Sequence, residues 1–165
     1  MIPHEDLRQI VILNYLTNDM LLKLQPIIEI LTFKGGEPVF RERSLADRFY
    51  MLKRGKVLLE QTLSDTVTVS LGSVKPGYAF GWSAMLDSET YTSNAICSEA
   101  SKVFAIRARN LKHLLDNDPA MGYLFYQSLL RIIKKRHDHR TEQFIRVISN
   151  HPDIKGLVDP SEALT

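Results

Sequence analysis

The chain has 165 residues, of which 44% are hydrophobic and 24% charged, and its 21 lysines and arginines nearly balance its 19 aspartates and glutamates. This length and composition suit one compact domain with a short appendage and exclude a disordered, fibrous or multidomain protein. A net charge of +2 is too small for a dedicated nucleic-acid binder. The single cysteine, Cys97, cannot form an intramolecular disulfide, and neither a signal peptide nor a membrane-spanning apolar run is present, so we expect a soluble, cytoplasmic protein.

The N-terminal region is predicted to be helical. Apolar residues recur at helical spacing over residues 5–30. The sequence Thr17-Asn18-Asp19 interrupts this pattern with side chains that commonly cap a helix, so we expect two short helices.

The central region, residues 32–106, has turn residues at the regular spacing that is typical of a small β protein. Glycines and prolines separate short runs rich in β-branched and aromatic residues, such as Phe49–Leu52, Val57–Leu59 and Val67–Val69. Strands at such regular spacing predict an antiparallel barrel or sandwich.

Helical spacing returns over residues 109–149. Asp118 and Pro119 are the preferred capping and first residues of a new helix, which should run to about Ser149 and be about 45 Å long. Residues 151–165 are predicted to be a short tail. The chain is therefore assigned to the α+β class: a domain over residues 1–150 with N-terminal helices, an antiparallel β-barrel and a long C-terminal helix.

Three segments resemble the cyclic nucleotide-binding domain family, which includes the bacterial catabolite activator protein and the regulatory subunits of protein kinase A. They are Phe33–Phe40 with Ala46–Val57, Leu71–Gly81, and Val103–Ile106 with the leucines at 111, 114 and 115. The resemblance covers roughly residues 16–150. It implies a jelly-roll-like barrel, a double-stranded β-helix, and a role in regulation and signal transduction.

In that family the cyclic phosphate is held by a cassette that reads Phe-Gly-Glu and continues to an arginine nine residues after the glutamate. This chain keeps Phe80-Gly81, but Trp82 stands where the glutamate belongs and Tyr91 where the arginine belongs. Both charged anchors are absent, although the nine-residue spacing is kept. Tight cyclic AMP binding through the family's contacts is therefore not expected.

Two interpretations of the cassette follow. In the first, it binds cyclic AMP weakly, or a different small anionic or nucleotide-like ligand, through backbone N–H groups and neutral hydroxyls. In the second, Trp82 and Tyr91 fill the pocket as core and the domain is a ligand-free interaction or dimerisation module. The candidate ligand-binding residues are Phe80, Gly81, Trp82, Ser83, Ala84, Met85, Tyr91, Thr92 and Ser93.

The C-terminal helix is predicted to signal through contacts with other chains. Related proteins of the catabolite-activator type pair two such helices, which implies a homodimer; the alternative is a helix folded back over its own barrel as a lid, and a separate partner protein is also considered. The predicted dimer interface consists of Met121, Leu124, Phe125, Ser128 and Ile132.

Several functions are not expected. The residues after Pro152 are too few for a helix-turn-helix domain, so sequence-specific DNA binding is not predicted, and neither is membrane binding. No hydrolase, zinc-protease or Walker motif is present, so we expect neither an enzyme nor a bound cofactor. His137 and His139 are two residues apart on a helix, which favours a solvated face over a metal site.

Overall fold

The computed structural model describes residues 2–87 and 89–155. The chain divides into two compact units, Met1–Tyr126 and Gln127–Thr165, and the long C-terminal helix contributes to both. Of the predicted tail, residues 156–165 lie outside the described residues.

The N-terminal helices are shorter than the sequence pattern predicts. They are α1 (His4–Arg8) and α2 (Asn18–Leu24), with 3-10 turns at Val11–Leu13 and Gln25–Ile27. Thr17 caps α2 as expected, because its hydroxyl accepts the Met20 N–H at 3.3 Å. The predicted helical boundary at Ile30 is wrong, since Pro26 lies in the second 3-10 turn and strand pairing begins at Ile28.

Within the described residues, eight antiparallel strands form two four-stranded sheets, with the orders β1-β8-β3-β6 and β2-β7-β4-β5. This confirms the predicted jelly-roll-like β structure, with its long C-terminal helix. The strands are β1 (Ile28–Phe33), β2 (Pro38–Phe40), β3 (Arg48–Arg54), β4 (Val57–Ser64), β5 (Val67–Val74), β6 (Ala79–Phe80), β7 (Asn94–Cys97) and β8 (Ser101–Arg107).

Strand β3 lies in the interior of its sheet. It pairs with β8 on one side and β6 on the other, and its residues 49–52 are all buried. Tyr50 and Leu52 belong to the same core cluster as Phe80, whereas the Phe49 ring meets the Phe125 ring at 5.6 Å. Because both faces of β3 are covered, its sequence is a continuous apolar run and does not alternate with polar residues.

The C-terminal helices begin as predicted. They are α3 (Ala108–Asn117), α4 (Pro119–Ser149) and a short α5 (Pro152–Lys155). The Asp118 carboxylate accepts the Met121 N–H at 3.1 Å and thereby caps α4. Lys23 contacts the same carboxylate at 2.6 Å and lowers the pKa of Asp118 below its ordinary value.

The turn between β3 and β4 depends on Gly55. Its φ is +95°, and a Cβ built there would lie 2.8 Å from the Ala100 carbonyl oxygen, so both conformation and space require glycine. Gly36 has a similar φ of +85°, but a Cβ there would have no atom within 4 Å. Substitution of Gly36 therefore adds backbone strain alone, whereas substitution of Gly55 adds both backbone strain and a steric clash.

We expect Gly55→Ala to destabilise the first unit by about 3 to 5 kcal/mol, because the new methyl group meets backbone atoms that cannot move aside. Gly36→Ala, the matched control, should cost only about 1 to 2 kcal/mol, the strain of a positive φ. Urea unfolding of the two variants measures both values. Equal losses would contradict the steric role of Gly55.

Candidate functional site

The candidate site is the cassette between β6 and β7, which opens with a 3-10 turn at Trp82–Met85. Gly81 precedes this turn with a φ of +73°. A Cβ at Gly81 would lie 2.9 Å from the Tyr50 ring and 3.3 Å from the Phe40 ring. Glycine thus lets the cassette backbone approach the aromatic side chains of the core.

Four aromatic side chains pack together in the core next to the cassette. We refer to them as the aromatic cluster: Phe40, Tyr50, Phe80 and Tyr91. The rings of Phe40 and Tyr91 are stacked, with centroids 3.8 Å apart and an interplanar angle of 14°. Tyr50 stacks on Phe80 at 5.4 Å. Only 3% of the Tyr91 surface is exposed. The residue that replaces the family's arginine is therefore part of the core.

The Tyr91 hydroxyl is bonded to the backbone of β3. It donates to the Arg48 carbonyl at 2.7 Å and accepts the Arg48 N–H at 3.2 Å. Burial, together with the neighbouring Tyr50 hydroxyl, raises the pKa of Tyr91 well above its ordinary value of 10.0. The phenol is thus neutral at physiological pH, and its hydroxyl already has a donor and an acceptor as partners.

The backbone around Tyr91 is fixed as well. Its N–H donates to the Ser44 carbonyl at 3.0 Å, and its own carbonyl accepts the Arg43 N–H at 2.8 Å. Two residues before Tyr91, the Glu89 carbonyl accepts the Ala46 N–H at 3.0 Å. The end of the cassette is therefore held against the segment that precedes β3, and it presents Tyr91 inward.

The other end of the cassette is linked to α3. Lys112 contacts the Asp87 carboxylate at 2.6 Å, and this ion pair lowers the pKa of Asp87. Because the Asp87 side chain is 94% exposed, the pair contributes little stability. It does place a cassette residue beside the helix that leads into α4.

The predicted ligand-binding residues differ in their access to solvent. Of the two residues that the second interpretation assigns to the core, Tyr91 is buried in the core cluster, whereas Trp82 is half-buried and lies outside it; whether the domain is free of ligand stays a prediction. The Tyr91 hydroxyl, one of the neutral hydroxyls of the first interpretation, already donates to the Arg48 carbonyl and accepts the Arg48 N–H in this structure, and its contact with a ligand stays a prediction. Phe80, Ala84, Met85, Tyr91 and Ser93 are buried, Gly81, Trp82 and Ser83 are half-buried, and Thr92 is exposed.

Sequence reasoning did not identify Phe40 and Arg48 as the partners of Tyr91. A buried phenol requires a hydrogen-bond partner, which was a usable signal. The partner, however, is a backbone group of Arg48, and any residue type can supply it. The hydrogen bonds between Tyr91 and Arg48 therefore could not be predicted from the type of side chain at position 48.

Two residues of the predicted dimer interface belong to the core of the first unit. Met121 and Phe125 are fully buried, and Leu124 is half-buried. Ser128 and Ile132 lie on the part of α4 in the second unit. Met121 and Phe125 therefore stabilise the chain's own core, and homodimerisation stays a prediction.

Residues 2–87 and 89–155 contain neither a metal-binding cluster nor a helix able to span a membrane. No three His, Cys, Asp or Glu side chains in this part of the chain lie close enough together to hold a metal ion. None of the described helices combines the length and hydropathy needed to cross a bilayer. Cys97 is buried in the core, and burial raises the pKa of its thiol.

The family model for the cyclic nucleotide-binding domain matches residues 30–118, more than half of the chain. A solved structure described as a cyclic nucleotide-binding protein of Geobacter metallireducens is 30% identical, with a TM-score of 0.72 over 82% of this chain and 98% of the other. A cyclic nucleotide-binding domain of Methylobacillus flagellatus is 15% identical and shares the fold, with a TM-score of 0.79 over 90% of this chain and 87% of the other.

A cGMP-dependent protein kinase of Drosophila melanogaster, isozyme 1, is 26% identical over 92 residues, which are 54% of this chain and 12% of the kinase. The chain spans only 12 to 14% of the length of the curated relatives it matches. The similarity to these kinases is therefore confined to a small part of each.

We expect Tyr91→Phe to destabilise the first unit by about 1 to 3 kcal/mol, because the Arg48 N–H and carbonyl both lose their partner while the stacked ring remains. Tyr126→Phe is the matched control, because this tyrosine is 42% exposed. It should change stability by less than about 0.5 kcal/mol. Urea unfolding measures both variants, and an equal loss in the two would contradict the structural role of the Tyr91 hydroxyl.

The stability of the protein should fall at alkaline pH. Burial raises the pKa of both Tyr50 and Tyr91, so the unfolded chain ionises these phenols above about pH 10 while the folded chain keeps them neutral. Stability is fully present below the unfolded pKa and decreases by about 1.4 kcal/mol per pH unit for each such tyrosine above it. Urea unfolding from pH 9 to about pH 11 should give a shallower decline in Tyr91→Phe than in the unmodified chain. Identical slopes would contradict the buried, neutral state of Tyr91.

Proposed function

Because the chain belongs to the cyclic nucleotide-binding domain family, we propose that it is a regulatory module whose cassette binds cyclic AMP weakly or not at all. The observation that carries the proposal is the position of Tyr91, which stacks on Phe40 and bonds to the Arg48 backbone. The side chain that would face the phosphate in the family is thereby used to hold the cassette to the barrel.

The charge of the cassette supports the proposal. Residues 80–94 contain the acids Asp87 and Glu89 and no lysine or arginine. A cyclic phosphate carries a negative charge that is normally shared with a guanidinium. Lys112, which lies near the cassette, contacts Asp87. Loss of a charge-assisted contact costs about 1.5 to 3 kcal/mol, which weakens binding about ten- to a hundred-fold.

The packing of Tyr91 adds a second cost. A guanidinium cannot be buried without a charged or polar partner, whereas a neutral phenol needs only the two backbone groups that Arg48 supplies. A ligand that required the position of the Tyr91 ring would break those two hydrogen bonds and the stack on Phe40. These contacts of Tyr91 therefore favour a structural role over ligand binding at position 91.

The output of such a module would pass through α4 to another protein chain. The Lys112–Asp87 ion pair joins the cassette to α3, and α4 follows α3 after the Asp118 cap. A change in the conformation of the cassette would thus alter the contacts of α3 first, and through α3 those of α4. Such a connection would let a non-enzymatic regulatory domain couple its cassette to a second site on the helices.

A second candidate function is the sensing of a small ligand other than a cyclic nucleotide. The half-buried Gly81, Trp82 and Ser83 favour it, because they keep a hydroxyl and a turn of backbone near solvent. A thermal-shift screen of nucleotides and small anionic metabolites, with native mass spectrometry of molecules that co-purify, distinguishes the two candidates. A compound that raises the unfolding temperature would favour the second.

Calorimetry with cyclic AMP and cyclic GMP tests the first candidate. We expect no saturable binding to the full chain up to about 1 mM ligand. The variant that combines Trp82→Glu with Tyr91→Arg restores both charged anchors and should bind cyclic AMP at least about tenfold more tightly, at the expense of a lower unfolding temperature.

Tyr91→Phe is the control for this comparison, because it removes the same hydroxyl without adding a cation. It should bind cyclic AMP no better than the unmodified chain. A dissociation constant below about 10 µM for the unmodified chain would overturn the proposal.

A further inference from the structure

The part of α4 in the second unit, residues 127–149, carries a pattern separate from the predicted dimer interface. Six residues are spaced alternately three and four apart, as in the a and d positions of a coiled coil. We refer to them as the α4 seam: Leu130, Ile133, His137, Arg140, Phe144 and Val147.

The apolar members of the α4 seam are exposed. The exposed fractions are 66% for Leu130, 37% for Ile133, 65% for Phe144 and 72% for Val147. Single exposed hydrophobic residues are common on protein surfaces, but a row of them in heptad register is typical of a helix that binds another helix. Ile148, which is 37% exposed, extends the apolar surface at the C-terminal end.

The centre of the α4 seam is cationic. His137 and Arg140 occupy the two middle positions, and the arginine is charged at every accessible pH. The only acids within residues 127–149, Asp138 and Glu142, lie off the seam. The Asp138 carboxylate is 2.6 Å from the Lys134 ammonium group. The α4 seam therefore contains no carboxylate that could pair with Arg140.

This charge pattern disfavours a second copy of the chain as the occupant. In a parallel pair each layer faces its own counterpart, so Arg140 would face Arg140. In an antiparallel pair about the centre of the seam, Arg140 would face His137. Neither orientation supplies a carboxylate to Arg140, and in the parallel pair two arginines would repel each other in the coiled-coil core.

We propose that the α4 seam binds an acidic amphipathic helix of another protein. Its outer a and d positions would carry aliphatic or aromatic residues that cover Leu130, Phe144 and their apolar neighbours. Its central positions would carry aspartate or glutamate, whose carboxylates pair with Arg140 and His137 in the partly dehydrated interface. Polar layers of this kind at the centre of the seam fix the register and select the partner. The inference does not depend on whether the cassette binds a ligand.

Two designed peptides test the proposal with the full chain. Each has about 28 residues, four heptads, with isoleucine and leucine in the outer a and d positions. One carries glutamate in the two central positions, and the other carries lysine there. Fluorescence anisotropy of labelled peptides should show that the glutamate peptide binds at least about tenfold more tightly, and that the preference weakens with salt.

Variants of exposed residues separate the parts of the seam without disturbing a core. Arg140→Glu should reverse the preference, so that the lysine peptide binds more tightly. Phe144→Asp should weaken both peptides at least about tenfold. Arg146→Glu is the matched control, because this exposed arginine lies off the seam, and it should leave the preference for the glutamate peptide in place.

Three results would overturn the proposal. The first is equal binding of the two peptides, or binding of neither. The second is a homodimer of the unmodified chain, seen by light scattering at tens of micromolar, that Phe144→Asp dissociates, because the seam would then belong to a second copy. The third is binding to phosphatidylserine vesicles, lost in Phe144→Asp, with no preference between the peptides, because the seam would then face a membrane.

Discussion

The pair of hydrogen bonds between the Tyr91 hydroxyl and the Arg48 backbone determines what the cassette can do. A guanidinium at this position would have to remain near solvent or face an anion, because an unpaired charge is too costly to bury. A phenol has no such requirement, since one backbone N–H and one carbonyl satisfy it. A tyrosine at position 91 therefore packs in the barrel core, where an arginine would need an anionic or solvated partner.

The rest of the first unit is consistent with this arrangement. Gly81 brings the cassette backbone against the Tyr50 and Phe40 rings, and the bonds from Ser44 and Arg43 hold Tyr91 from both sides. These contacts join segments distant in sequence, so the parts of the cassette at Gly81 and Tyr91 are held against the barrel. The aromatic cluster is uncharged at neutral pH, and the charged residues of the cassette itself are the acids Asp87 and Glu89.

Much of the fold was predictable because its signals are local. Thr17 and Asp118 mark helix starts through their own hydroxyl and carboxylate, and the turn residues mark the strand ends. The start of β1 was not predictable, because Ile27, Ile28 and Leu31 fit helical spacing and only pairing with β8 decides the conformation of the segment from Ile28 onward. The same limit applies to the site: replacement of the charged anchors was visible, but the inward position of Tyr91 and the half-buried position of Trp82 depend on tertiary packing. The exposure of the α4 seam likewise became visible only in the folded chain.

Hydrogen exchange of the Arg48 amide, followed by nuclear magnetic resonance in the full chain, tests the central claim most directly. This N–H donates to the Tyr91 hydroxyl, so a ligand that displaced Tyr91 would expose it. If Tyr91 is a fixed part of the core, the Arg48 amide exchanges no faster than the barrel unfolds. Millimolar cyclic AMP then changes neither the exchange rate nor the chemical shift of this amide. A saturable shift of this amide, or faster exchange, on addition of cyclic AMP would show that Tyr91 leaves the core to admit the nucleotide, and would contradict the structural role assigned to it.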